Sequence, residues 1–156
     1  MNEATHTYVI LDNIRSAHNV GAIFRTADGA GVKKIFLCGI TPSPIDRFGR
    51  KQKEIHKTAL GAEDIVEWEY CEKVEVAVEK ARAFGARIVS VEQTESSIPY
   101  TEFNKTENTA FVFGNEIDGV SKEVLEESDV IVEIPMHGKK ESLNVSVSVG
   151  VILFGV

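Results

Sequence analysis

Short apolar runs alternate with amphipathic stretches along almost the whole chain. Tyr8-Val9-Ile10-Leu11 is continuous in large apolar side chains, which suits a strand buried on both faces. Val20 to Ala30 reads as a helix, with Asn19 placed to cap its start and Gly29 or Gly31 near its end. Lys34 to Cys38 predicts a second strand. Thr41-Pro42-Ser43-Pro44 breaks the pattern and opens a polar loop, after which Gln52 to Leu60 predicts a short helix and Ile65-Val66-Glu67-Trp68 another strand. Cys71 to Phe84 is amphipathic, with Val74, Val78, Ala81 and Phe84 inward. Arg87 to Val91, Thr109 to Phe113 and Val130 to Ile134 complete the strands, and Ser121 to Glu127 forms a short helix between the last two. Strand and helix in alternation predict an α/β fold: a mostly parallel sheet flanked by helices on both faces.

The C-terminal segment supports two readings. Asn144-Val145-Ser146-Val147-Ser148-Val149 alternates with period two, which taken alone favours a half-buried strand. Small Ser and Gly residues among the valines also suit a helix packed closely against a neighbouring backbone, although β-branching weakens its intrinsic helicity.

At 156 residues and 43% hydrophobic, the chain is expected to form one domain, 1–156, with a core large enough to fold alone. Its apolar runs, such as Val149 to Val156, are too short to span a bilayer, and its start lacks a basic-then-apolar signal segment, so a cytoplasmic location is expected. Cys38 and Cys71 lie on separate elements without CxxC spacing, which predicts two reduced structural thiols and no metal site. The net charge of -7 argues against indiscriminate nucleic-acid coating. The charge is uneven, however: Arg47, Arg50, Lys51, Lys53 and Lys57 cluster in one segment, whereas Glu63 to Glu79 is strongly acidic.

The polar chemistry gathers in three places. Phe113-Gly114-Asn115-Glu116-Ile117-Asp118-Gly119 and Ile134-Pro135-Met136-His137-Gly138 each follow an apolar strand, where backbone can approach a small ligand. Ser142-Leu143-Asn144-Val145-Ser146 follows the second. Near the start, Asn19-Val20-Gly21-Ala22-Ile23-Phe24-Arg25-Thr26-Ala27 supplies a candidate working cation. His18 and His137 flank these turns and read as exposed loop residues. Gly29-Ala30-Gly31 follows a helix and has only part of a dinucleotide fingerprint, and GxxxxGK[ST], GxSxG and HExxH patterns do not occur.

These motifs resemble the SpoU/TrmH branch of the SPOUT superfamily of S-adenosylmethionine-dependent RNA ribose 2'-O-methyltransferases. Asn19-x-Gly21-x-x-x-Arg25-Thr26-Ala27, Phe113-Gly114-Asn115-Glu116-x-x-Gly119, and Ile134-Pro135-Met136-x-Gly138 with Ser142-Leu143-Asn144-Val145-Ser146-Val147 match in order, and the likeness extends over nearly the whole chain. Lys57-Thr58-Ala59-Leu60-Gly61-Ala62 and Val91-Glu92-Gln93 also look like family sequence. The resemblance implies a deep C-terminal trefoil knot, a homodimer with the last helix at its interface, and therefore the helical reading of Asn144 to Phe154.

It also implies site roles. Glu92, Gly114, Ile134, Met136, Ser142, Leu143 and Asn144 would hold S-adenosylmethionine, with Gly114 admitting close backbone approach. Asn19 would orient Arg25, and Glu116, Ser142 and Asn144 would complete the catalytic cluster. Arg25 is described in such families as the general base; because a guanidinium is normally a donor only, it could instead stabilise the developing alkoxide. Arg47, Arg50, Lys51, Lys53, Lys139 and Lys140 are the expected RNA phosphate contacts. The expected substrate is transfer RNA, with ribosomal RNA as the competitor, and no appended RNA-binding domain is expected. A knotted RNA-binding module without turnover is the alternative from another class, and an unrelated doubly wound nucleotide-binding protein is a third.

Overall fold

The computed structural model describes residues 4–156. β1 (Thr7–Asp12) is buried at every position, as an unbroken apolar run requires of a central strand covered on both faces. Around it lie β2 (Lys34–Cys38), β3 (Glu67–Cys71), β4 (Arg87–Val91), β5 (Ile98–Pro99), β6 (Thr109–Gly114) and β7 (Val130–Glu133). They form one sheet in the order β3-β2-β1-β6-β4-β7-β5, and every strand pair is parallel. Alternate side chains feed two cores. Val9, Leu11, Leu37, Phe111 and Phe113 pack with α1 (Ala17–Ala30), α2 (Lys53–Ala59) and α5 (Val145–Gly155). Tyr8, Ile10, Phe36 and Val112 pack on the other side with α3 (Val74–Ala83) and α4 (Lys122–Glu127).

The chain walks outward from β1 to β3, then crosses back to β4 on the far side of β1. β6 fills the gap between β1 and β4. Loops leaving the carboxyl ends of strands on either side of such a reversal diverge, which opens a crevice there.

Several local expectations need correction. Asn19 does not cap α1; the Ser16 hydroxyl does, accepting from the Asn19 N–H at 3.1 Å, while Gly31 closes the other end at φ 73°. The strand expected at 65–68 begins at Glu67, because the 3₁₀ turn Ala62–Asp64 takes the amides of Ile65 and Val66. It runs on to Cys71, so α3 starts at Val74 rather than Cys71. Phe84, expected inward, is about half exposed and stacks on Tyr8 with ring centroids 5.4 Å apart. The two-residue β5 was not expected at all. Cys38 and Cys71, which look unrelated in sequence, are register partners on β2 and β3. Burial pushes both thiols up from their ordinary value, the nearby Glu69 carboxylate adding to it, which leaves them poor nucleophiles.

The C-terminal segment is a helix. Asn144 caps it, its side-chain oxygen accepting from the Ser146 N–H at 2.9 Å. Val145, Val149 and Ile152 are buried at helical spacing, and Gly150 brings α5 close to Thr26 of α1. Gly21 does the same for α1 and α2: a side chain there would overlap Thr58 Oγ1 and the Ile55 carbonyl. No helix among the described residues is long and apolar enough to cross a membrane.

Candidate functional site

The turn after β6 is built by its own sequence. Asn115 and Gly119 exchange backbone hydrogen bonds at 3.0 and 2.9 Å. The Asn115 side-chain oxygen accepts from the amides of Ile117 and Asp118, and its amide group donates to the Asn13 carbonyl at 2.7 Å. Gly119 takes φ 72°. A Cβ at Gly114 would overlap the backbone of Gly119 and Val120, so glycine here lets the turn fold back over its strand. The sequence reading gave this glycine to cofactor approach; it lines the cleft, but the space of the missing side chain is filled by the turn.

Three carboxylates pin this turn through backbone amides. Glu116 accepts from the N–H groups of Arg15 at 2.9 Å and Ser16 at 3.1 Å, just ahead of α1, and so ties the second motif to the first. Glu92, beyond β4, accepts from Val120 N–H and Gln93 N–H, both at 3.0 Å. Asp12, buried at the end of β1, accepts from Ser121 N–H at 2.8 Å and from the Asn13 amide group at 2.9 Å. The loop after β7 is held to β4 by Gln93, whose amide donates to the Glu141 carbonyl at 2.8 Å.

Between these loops lie two adjoining cavities of about 500 and about 290 Å³, which share Val91, Glu92, Ser142, Leu143 and Ser148. Gly114, Glu116 and Asn144 line the larger, and Ile134 and Met136 the smaller. Asn19 reaches this region from α1, its side-chain oxygen 3.4 Å from the Asn144 amide nitrogen. Phe113, Leu143 and Val145 supply apolar wall. Glu92, Glu116, Asp118, Glu133 and Glu141 all line the joined cleft, and among the described residues no lysine or arginine does. Such a lining favours a ligand that carries positive charge and disfavours a polyphosphate.

Arg25 is not in this cleft. It is exposed on α1 and lines a separate cavity of about 640 Å³ with Lys57, Thr58 and Phe154. Asn19, expected to orient it, is hydrogen-bonded to Asn144 instead, and six residues of helix separate the two by roughly 9 Å along the axis. Arg47, Arg50, Lys51 and Lys53 are exposed on and just beyond the loop after β2, and Lys139 and Lys140 on the loop after β7. Both loops leave the carboxyl end of the sheet. His18 and His137 are exposed. Asp12, Asn13 and Asn115, which hold the framework, were missed as site residues. A lone carboxylate closing an apolar strand was the available signal for Asp12.

A parallel sheet with a ligand cleft in the loops at its topological reversal, closed by a capped C-terminal helix, defines an α/β protein of the crevice-binding class. The chain belongs to the SpoU rRNA Methylase family, whose model matches residues 6–154. It is 36% identical over 149 residues to the tRNA (guanosine(18)-2'-O)-methyltransferase of Aquifex aeolicus, covering 94% of this chain and 66% of that protein. It is 34% identical to the 23S rRNA (guanosine-2'-O-)-methyltransferase RlmB of Neisseria meningitidis, covering 93% of this chain and 55% of that protein. An AdoMet-bound rRNA methyltransferase from Sinorhizobium meliloti superposes with a TM-score of 0.87 at 29% identity, over 98% of this chain and 56% of that one. The A. aeolicus TrmH/SpoU tRNA modifying enzyme superposes at 0.83 with 29% identity, over 98% of this chain and 74% of that one. The chain thus spans about half to two thirds of the curated relatives it matches.

Proposed function

We propose that this chain transfers the methyl group of S-adenosylmethionine to a ribose 2'-hydroxyl of RNA in the cytoplasm, with transfer RNA as the substrate class. The observation that carries the reading is the acidic, partly apolar cleft at the sheet reversal. Its carboxylates complement the sulfonium and ammonium charges of the cofactor, and Val91, Phe113, Leu143 and Val145 suit an adenine ring. Ser142, Leu143 and Asn144 present polar and apolar groups together, and Ile134 and Met136 extend the wall. The bound cofactor supplies an electrophilic methyl carbon. The ribose oxygen bonds to that carbon, the carbon–sulfur bond breaks with its electrons going to sulfur, and the hydroxyl proton leaves to a base or water. Glu116 has its two oxygens engaged by backbone amides, which supports a positioning role.

Arg25 stabilises the forming alkoxide as a permanent cation. Its separation from the cleft of its own chain points to a second copy. The outer face of α5 exposes Val147 and Phe154, and a helix apolar all round needs cover. In a two-fold contact with α5 crossing its copy head to tail, the Phe154 end, with Arg25 beside it, meets the partner's Asn144 end and hence the partner's cleft. The trefoil knot implied by the resemblance belongs to this reading; the insertion of β6 between β1 and β4, and the return of the chain from β7 to α5 against α1, support it.

Transfer RNA is favoured by the 36% identity to a relative named for tRNA guanosine 18. The RlmB relatives, at 34% for that of N. meningitidis, make ribosomal RNA the second reading. Arg25→Ala is expected to lower methyl transfer at least about a hundredfold, on the scale of removing one oxyanion donor, while calorimetry shows S-adenosylmethionine binding unchanged. Normal turnover by that variant removes the assignment.

A further inference from the structure

The segment 45–51 forms a closed finger with an aromatic ring at its tip. At its base the Pro44 carbonyl oxygen accepts from Gln52 N–H at 3.0 Å and lies 3.2 Å from His56 Nε2. Ile45 and Lys51 pair antiparallel above it, and Asp46 N–H donates to the Arg50 carbonyl at 2.9 Å. Gly49 turns the tip at φ 78°. The Asp46 carboxylate then accepts three bonds, from the amides of Phe48 and Arg50 at 2.9 Å and from Arg50 Nε at 3.0 Å. These bonds order the tip, yet Phe48 stands 66% exposed on it. A phenylalanine so placed gains little from burial in its own fold. The guanidinium carbons of Arg47 and Arg50 sit 4.9 and 5.0 Å from the ring centroid.

We propose that Phe48 is a stacking platform for an unpaired nucleobase of the RNA, with Arg47 and Arg50 gripping the phosphates on either side of that base. The inference rests on the proposed function and adds to it a mode of RNA recognition. Single-stranded RNA is held by bases splayed onto aromatic rings beside cationic grooves, and any base offers a face to such a ring. A ring flanked by two arginines on an ordered loop has both elements. The Arg47 head is exposed and can turn to a phosphate at little cost, and the Arg50 head, held by Asp46 through Nε in an exposed pair, keeps its terminal nitrogens for one. The finger leaves the sheet at the same end as the cleft, so one strand of RNA can engage both. An anionic membrane is the poorer occupant, because one ring and a few cations on a narrow tip offer little insertion.

The test uses the full chain and four probes: a short fluorescent oligouridylate, the same backbone without bases, duplex RNA of equal length, and anionic phospholipid vesicles. Phe48→Ala is expected to weaken oligouridylate binding about five- to hundredfold, while Phe48→Trp retains it. The abasic oligomer and the duplex should bind the parent and Phe48→Ala alike. The slope of log affinity against log salt should stay the same in Phe48→Ala and become shallower in Arg47→Ala and Arg50→Ala. Equal oligouridylate affinity in Phe48→Ala, or no binding by the parent chain, overturns the platform. So does Phe48-dependent vesicle binding, or a change of oligomeric state in Phe48→Ala with RNA affinity intact. Methyl transfer by the parent chain, assayed separately, bears on the catalytic reading alone.

Discussion

At the scale of single residues, the site is a set of backbone contacts more than a set of reactive groups. Gly114 shows this most sharply, because its missing side chain is what allows the Asn115–Gly119 turn to close on β6. Gly114→Ala forces the turn away and is expected to cost about 1–3 kcal/mol, read as a lowered urea midpoint at unchanged slope, with weaker S-adenosylmethionine binding in calorimetry. An unchanged midpoint contradicts the packing argument. The motif residues themselves were legible in sequence as three polar patches, and Glu92, Glu116, Ser142, Leu143 and Asn144 do meet in one cleft. Their individual duties were not legible. Asn19 was read as a helix cap although Ser16 fills that role, because a cap depends on the side-chain geometry three residues before the amide it satisfies. Asp12 and Asn13 escaped notice because their partners, Ser121 and Asn115, lie about a hundred residues away.

At the scale of elements, segments with a clear local pattern were read correctly, including the short α4, and those determined by tertiary contacts were not. β2 and β4 fall on the expected residues, and α1 differs only at its start, since an unbroken apolar run or a clean 3.6-residue period is a local property. β5 has two residues and exists only because β7 offers it an edge. In α5 a period-two pattern became a helix because Asn144 caps it and α1 accepts its small residues. The α2 region carries a testable electrostatic joint. His56 Nδ1 lies 2.6 Å from Glu63 Oε1, and Glu63 also accepts from Gly61 N–H at 3.0 Å. Burial pushes the Glu63 carboxyl up, but its backbone hydrogen bonds and His56 outweigh that and hold it below the ordinary value of 4.5. A folded-state value below the unfolded one stabilises the fold at pH above the unfolded value and is lost as pH falls through the folded value. The margin by which Glu63→Gln is less stable than the parent should therefore shrink as pH falls below 4.5. A margin that grows as pH falls below 4.5 contradicts the lowered Glu63 carboxyl.

At the scale of the whole molecule, the proposed sharing of each site by two copies has a direct consequence. The cleft and Arg25 stand apart in one chain, while the apolar outer face of α5 lies between them and exposes Val147 and Phe154. Two inactive variants should consequently rescue one another. Arg25→Ala removes the cation that the proposal has donated to the partner and leaves the cleft of its own chain unaltered. Asn144→Ser keeps a capping hydroxyl but removes the amide that faces Asn19. Equal mixing with subunit exchange puts half the chains in mixed dimers, each with one intact site, so about a quarter of parental activity should return. No recovery would contradict the donation of Arg25 across a dimer. The sheet and its carboxyl-end crevice could be anticipated from strand and helix alternation, whereas the separation of Arg25 from the cleft could not, because it depends on which faces of α1 and α5 remain uncovered after folding.

The most direct measurement is transfer from methyl-labelled S-adenosylmethionine to total RNA taken from a source lacking this gene, separated into transfer and ribosomal fractions and digested to nucleosides. The account predicts label in a 2'-O-methylated nucleoside from the transfer RNA fraction, within an alkali-resistant dinucleotide, and none in RNA whose target 2'-hydroxyl is replaced by hydrogen. Label carried on a base, or S-adenosylmethionine bound with no methyl reaching any RNA fraction, would contradict it.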